Sequence, residues 1–411
     1  MELNNNSLSV GKKIAMLLPV FAAGYLLSSL LRGITAALAP IFTQQFSITP
    51  ADLGLLAGAY FVSFAVLQLP MGAWLDRYGV RTVMVVSLAV AAASCLMFAT
   101  AISYSALFWG RLLSGVGVSA CLIAPLTAAR LWTTPAEQQR INSWMLMAGA
   151  LGLILGTLPA ESIATNIGWR PLFIGLGVLF ALVSVLIAVT IPKQQKNTGF
   201  RNNLIISYIP IIQNSYTWKI GPMGLLNYAT LVAIQTLWVG PWLINLGGLS
   251  IRDASTQLLY INTIVLVMFL IMGYLSPKFN KSPEDAERLL IYWTPISIIL
   301  LILIAYLGSN ATWHLFALYC ISAWPLSVTH PLVGQRFKPK EAGRAIAFFN
   351  LLLFTGVFLW QWGFGLIIST FKSFIGITFS YQLAVGFLAL FSIIGYIIFI
   401  SKTGASHLRD E

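Results

Sequence analysis

Twelve apolar stretches, each about as long as a bilayer core is thick, run through the 411 residues of this chain and leave few folds open to it. A hydrocarbon core takes roughly 20 apolar residues per crossing helix. Backbone in lipid must satisfy its own hydrogen bonds, which leaves only helices or closed barrels. The stretches lie near 14–40, 53–74, 81–102, 105–131, 142–165, 170–192, 219–246, 254–277, 288–308, 312–334, 343–370 and 378–401. The expected fold is an all-α membrane protein of twelve transmembrane helices in two pseudo-symmetric six-helix bundles.

Composition removes the soluble alternative. Hydrophobic residues make up 58% of the chain and charged residues 9%, a balance that a water-exposed surface of this size does not tolerate. The net charge of +12 does not signal nucleic acid, because the basic residues sit in short loops between spans rather than on one soluble face. The first span is too long for a signal peptide and lacks a small-residue cleavage site. Cys95, Cys121 and Cys320 all fall inside spans, so buried free thiols are expected, with neither a disulfide framework nor a metal site.

Charge asymmetry sets the orientation. One side of the predicted bundle collects nineteen of the 24 Lys and Arg residues in its loops and tails, while the other holds Arg170, Arg252 and Lys372. Arg32 and Arg111 remain inside spans. The positive-inside rule then places both termini in the cytoplasm of a multi-pass protein, with the bacterial inner membrane as the expected location.

The long polar interruption from Lys193 to Thr217 divides the chain. The expected organisation is an N-terminal bundle over 1–192, a cytoplasmic linker over 193–217, and a C-terminal bundle with a short tail over 218–411. At an offset of 201 residues, Pro40 pairs with Pro241, Asp52 with Asp253 and Gly72 with Gly273, at equivalent points of the two halves. A duplicated bundle leaves such a pattern. Parallel repeats of this kind build transporters whose substrate site lies between the halves.

Between the second and third spans stand Gly72, Asp76, Arg77, Gly79 and Arg81. This loop resembles the signature of the major facilitator superfamily, Gly-x-x-x-Asp-Arg-x-Gly-Arg, with Val80 moving the last arginine one place on. Arg111 to Gly115 in the fourth span is similar to a second family motif, Arg-x-x-x-Gly, and Gly168-Trp169-Arg170 to a third. In the second half the loop beginning at Gly273 lacks the acidic residue. In the fifth span Gly149, Gly152, Gly156 and Pro159 partly match the glycine-rich helix of drug–proton antiporters. The resemblance implies the family's twelve-helix fold, alternating access and a gating role for the five loop residues. It also implies that Asp76 bears on the start of the eleventh helix, near Ala342 to Arg344.

The polar residues inside spans are the candidates for substrate contact. Tyr25, Ser28, Ser29 and Arg32 follow a 3–4–7 spacing and share one face of the first helix. An arginine within a span costs roughly 2.5 kcal/mol or more on insertion scales, so Arg32 faces protein or water. There it can pair with a carboxylate or phosphate, or it can be structural. Arg111, at similar depth, adds a second cation. Tyr228, Gln235 and Trp238 on the seventh span, and Asn350, Phe354 and Gln361 on the eleventh, form polar–aromatic stripes, with Tyr60 and Gln68 on the second. Glu161 is the one carboxylate inside a predicted span, placed either to carry a proton, to neutralise Arg111, or to sit at the interface. His330 is expected to be structural.

No triad, carboxylate pair or metal set is apparent for an enzyme, and no Gly-x-x-x-x-Gly-Lys-Ser/Thr loop for a nucleotide-driven pump. The expectation is a monomeric, cofactor-free secondary active transporter in the lipid bilayer. Its expected cargo is a small organic anion or acidic metabolite, with the proton as coupling ion. A drug-type exporter of neutral or amphiphilic compounds is the alternative.

Overall fold

The computed structural model describes residues 7–132, 135–192, 206–279 and 282–407. Linker residues 193–205, with Lys193, Lys196 and Arg201, lie outside the described residues, as do Lys281 and Arg409. Among the described residues there are ten helices long and apolar enough to cross a membrane: Leu18–Phe46, Pro50–Ala99, Tyr104–Ala129, Ile141–Asn166, Trp169–Thr190, Ser215–Asn245, Ile251–Met272, Pro283–Asn310, Trp313–Arg336 and Glu341–Lys402. Two of them run 50 and 62 residues, about 75 and 93 Å at helical rise, far more than one bilayer crossing needs. Each contains a glycine with left-handed backbone, Gly79 (φ 77°) and Gly376 (φ 78°), where two helices meet in a hairpin. These breaks fall between the predicted second and third spans and between the eleventh and twelfth, which is consistent with twelve crossings.

Helix starts follow from short-range chemistry. Thr49 caps the second span: its Oγ1 accepts from the Asp52 amide at 3.2 Å, and Asp52 Oδ2 accepts from the Thr49 amide at 2.9 Å. Pro50 sits in the first turn, where no amide donor is missed. The eighth span begins with a related pair: Ser250 Oγ donates to Asp253 Oδ2 at 2.6 Å and accepts from the Asp253 amide at 3.1 Å. The sequence pair Asp52/Asp253 thus marks the same capping site in the two halves.

The glycines of the fifth span bring it against the first. A Cβ on Gly149 would meet the Tyr25 ring, and one on Gly152 the Leu26 carbonyl. The fifth span breaks after Leu155 and resumes as the short helix Leu158–Asn166, which carries Glu161. The two halves meet most closely at the end away from the termini. There a Cβ on Gly54 would meet the Gln361 carbonyl and one on Gly365 the Pro50 carbonyl, and the Ala51 amide donates to Ser369 Oγ at 3.0 Å.

Candidate substrate site between the halves

The two intramembrane arginines, alike in sequence, have different surroundings. Arg111 is 1% exposed. Its Nη1 donates to the Leu31 carbonyl at 2.7 Å and its Nη2 to the Arg32 carbonyl at 3.3 Å, and its guanidinium lies 4.8 Å from the centre of the Tyr60 ring. It ties the fourth span to the first and second. Arg32, on the neighbouring turn, is only part-buried. Its one hydrogen bond among the described residues runs from Nη2 to Ser29 Oγ at 3.3 Å, and its buried Nε, like that of Arg111, has no partner there. Among the described residues no carboxylate pairs with it, and its electrostatic neighbours are the Tyr60 and Tyr228 hydroxyls. The expected two-cation site is therefore one available cation, Arg32, beside one committed to structure.

Tyr228 belongs to the seventh span, on which the first span packs. Tyr228 and Gln235 stand in two π-helical turns, Met223–Tyr228 and Ile234–Trp238, that widen this helix. Such turns re-aim side chains and recur at functional sites. Periodicity gave no warning of them. Gln235 Nε2 donates to Asn262 Oδ1 at 2.9 Å on the eighth span. The Tyr228 ring meets the His330 ring edge to face, centres 5.7 Å apart.

His330 is part of a polar chain that crosses between the halves. Its Nε2 lies 2.7 Å from Asn350 Oδ1, and Asn350 Nδ2 points at Gln68 Oε1 at 3.5 Å. Beside it Phe354 packs on Phe64 (4.8 Å, edge to face) and Phe61 (6.1 Å, stacked). These contacts bring Gln68, Tyr228, Asn350 and Phe354 together, with His330 added to them.

Other candidates are placed differently. Trp238 (1% exposed) and Gln361 (0%) are fully buried, Gln361 with its backbone at the seam against Gly54. Trp238 Nε1 donates to the Gln361 carbonyl at 3.2 Å, and Gln361 Nε2 to Thr236 Oγ1 at 3.1 Å. Helix–helix bonding, not the central face, claims both. Ser28 and Ser29 are buried and serve Tyr60 and Arg32, the first through its carbonyl. Glu161 does not neutralise Arg111, nor does it sit in water: it is 4% exposed and accepts from Thr165 Oγ1 at 2.8 Å and Ser162 Oγ at 3.5 Å. A second acid, outside the predicted spans, is also buried. Glu287, 7% exposed, stands just before the predicted ninth span. Its carboxylate lies 2.6 Å from Lys219 Nζ and 3.3 Å from Arg336 Nη2, so two cations counted as loop charges are partners of a buried acid.

In the loop between the second and third spans, Gly79 takes the left-handed turn that its sequence position called for. Asp76 and Arg77 are exposed, and Arg77 lies 5.3 Å from the Tyr78 ring. Gly72 could permit close helix approach, having no side chain. Nothing lies within 4 Å of a Cβ built there, so in this state it does not.

Ten membrane-length helices among the described residues, two of them broken at a glycine, define a polytopic helical membrane protein. Residues 21–361 match the Major Facilitator Superfamily, and the chain belongs to that family, whose fold and members indicate a transporter rather than an enzyme. Solved structures of similar fold include a bacterial homolog of the human lysosomal transporter Spinster in an inward-facing and occupied conformation (TM-score 0.78, 15% identity, covering 95% of this chain and 96% of the other). A D-xylose–proton symporter is also similar (TM-score 0.73, 14% identity, 93% and 97% covered). An uncharacterized transporter of Bacillus subtilis, YybO, is 24% identical over 188 residues, 45% of this chain and 43% of that protein. The quinolone resistance protein NorA of Staphylococcus aureus is 24% identical over 192 residues, 46% and 47% of the two chains. These matches span less than half the length of either curated relative.

Proposed function

We propose that this chain is a secondary active transporter that moves a small organic anion or acidic metabolite by alternating access, with the proton as coupling ion. The observation that carries this reading is Arg32: a part-buried cation inside a span that packs on the other half, with a single neutral hydroxyl partner among the described residues. An uncompensated charge at such depth is costly, and a substrate carboxylate or phosphate would supply the missing partner bidentately. Glu161, buried and bonded only by hydroxyls, is the candidate proton carrier. Gly72, Asp76, Arg77, Gly79 and Arg81 are assigned to gating, the halves to 1–192 and 218–411, and both termini to the cytoplasm of a monomer in the inner membrane.

The second reading, an exporter of neutral or amphiphilic drugs, is supported by the aromatic wall of Phe61, Phe64 and Phe354. The name of the quinolone resistance relative points the same way. A thermal-shift screen of purified protein against acidic metabolites and neutral drugs separates the two, since a ligand that binds the folded state raises its stability. For an acidic ligand found this way, Arg32→Ala should weaken binding by roughly 2–5 kcal/mol, and Arg32→Lys should recover only part, because a point charge cannot reproduce a fork. Stable Arg32→Ala protein that binds the acid normally would leave the neutral-compound exporter as the better account.

A further inference from the structure

We infer that His330, Asn350 and Gln68 form a second recognition point beside Arg32, so that the substrate is an organic acid that also carries hydroxyl or carbonyl groups. The inference rests on the anion reading of Arg32. Its own ground is the unused hydrogen-bonding capacity of the polar chain. Asn350 Oδ1 accepts from His330 Nε2, which fixes the proton on that nitrogen and leaves Nδ1 as an acceptor without a partner among the described residues. Asn350 Nδ2 has a second hydrogen to give, and its contact to Gln68 Oε1 is long, at 3.5 Å. His330 and Asn350 remain part-exposed between elements of both halves.

Tyr228 links the two points: its hydroxyl is within electrostatic range of Arg32, and its ring packs on His330. Phe64 and Phe354 close one side with apolar surface. A fatty acid would leave the imidazole and amides unanswered, whereas a hydroxylated acid both donates to Nδ1 and accepts from Asn350. Sites that hydrogen-bond a substrate hydroxyl discriminate strongly against the analogue lacking it. His330 is thus a specificity-determining residue, not only a packing one.

Titration calorimetry of the purified full chain with gluconate, hexanoate and sorbitol tests charge and hydroxyl content separately. Gluconate should bind at least about tenfold tighter than hexanoate, the worth of one good hydrogen bond, and tighter than sorbitol. His330→Phe should erase the preference for gluconate over hexanoate while Arg32→Ala erases the preference for either acid over sorbitol. Asn350→Leu serves the same purpose should the His330 variant fold poorly. Hexanoate binding as tightly as gluconate overturns the second recognition point and leaves the anion reading standing. Sorbitol binding as tightly as gluconate overturns the anion reading and this inference with it. No binding of either acid rejects both. A hydroxyl preference that survives in both His330→Phe and Asn350→Leu removes these residues from recognition.

Discussion

Arg32 and Arg111 show how much of a residue's role is decided off its own helix. Each reads in the sequence as a cation at similar depth, and only the tertiary contact separates them: Arg111 reaches two carbonyls of the first span, Arg32 one serine hydroxyl. Arg111→Ala should therefore cost stability, about 2–4 kcal/mol from lost charge-assisted bonds and the cavity left behind. Ligand affinity in the folded protein should hardly change. Thermal unfolding and affinity measured on the same preparations check this, and a variant that melts like wild type but loses its ligand would return Arg111 to the substrate site. The hydrophobic pattern could not foresee this split, because apolarity along the chain reports that a residue is inside without naming what it meets. Glu287 was missed for the same reason. It follows a capped helix start rich in charge, and only the packing of Lys219 and Arg336 around it reveals a buried acid.

At the level of elements the sequence is more legible, since caps and turns are local. Asp52 and Asp253, paired in the sequence at the starts of the second and eighth spans, both take part in helix caps, and the glycine at 79 falls at the turn between its spans. The π-helical turns of the seventh span were not legible, because an extra residue per turn is imposed by packing and leaves no fixed sequence sign. The two hairpin glycines share one backbone conformation, with ψ 159° at Gly79 and 167° at Gly376, a region essentially closed to other residues. Around Gly376 a Cβ would meet nothing within 4 Å. Gly376→Ala thus isolates the backbone term and should destabilise by about 1–3 kcal/mol. Gly72→Ala, equally free of contacts but helical, should stay within about 1 kcal/mol of wild type. Denaturant or thermal unfolding in detergent measures both. A Gly72→Ala protein that is stable yet transports poorly would show that the small residue matters only in another conformation, which is what a gating role requires.

For the whole molecule the decisive asymmetry is between its two ends. Away from the termini the halves touch backbone to backbone, through Gly54 against Gln361 and Gly365 against Pro50, so that no side chain separates them. Toward the termini they meet through longer side chains, Gln68 to Asn350 and Phe64 to Phe354. The segment entering the second half adds a strap there: Tyr208 donates to the Leu69 carbonyl at 2.9 Å and Arg344 to the Ser207 carbonyl at 2.9 Å. Burial raises the Tyr208 phenol above its ordinary pKa, so the donor stays protonated further into the alkaline range than a free phenol would. The halves are thus in close backbone contact at the end away from the termini, and the proposed alternating access requires that contact to open once per cycle. Ala51→Cys with Ser369→Cys puts one cysteine on each half at this seam, where the Ala51 amide donates to Ser369 Oγ at 3.0 Å, and oxidation of the pair to a disulfide would lock the seam. The three native cysteines are buried, which favours reaction at the new pair. Oxidation should abolish transport in proteoliposomes, reduction should restore it, and neither single cysteine should respond. Full transport by quantitatively cross-linked protein would mean that this end never opens, and the chain would then have to work by some route other than alternating access.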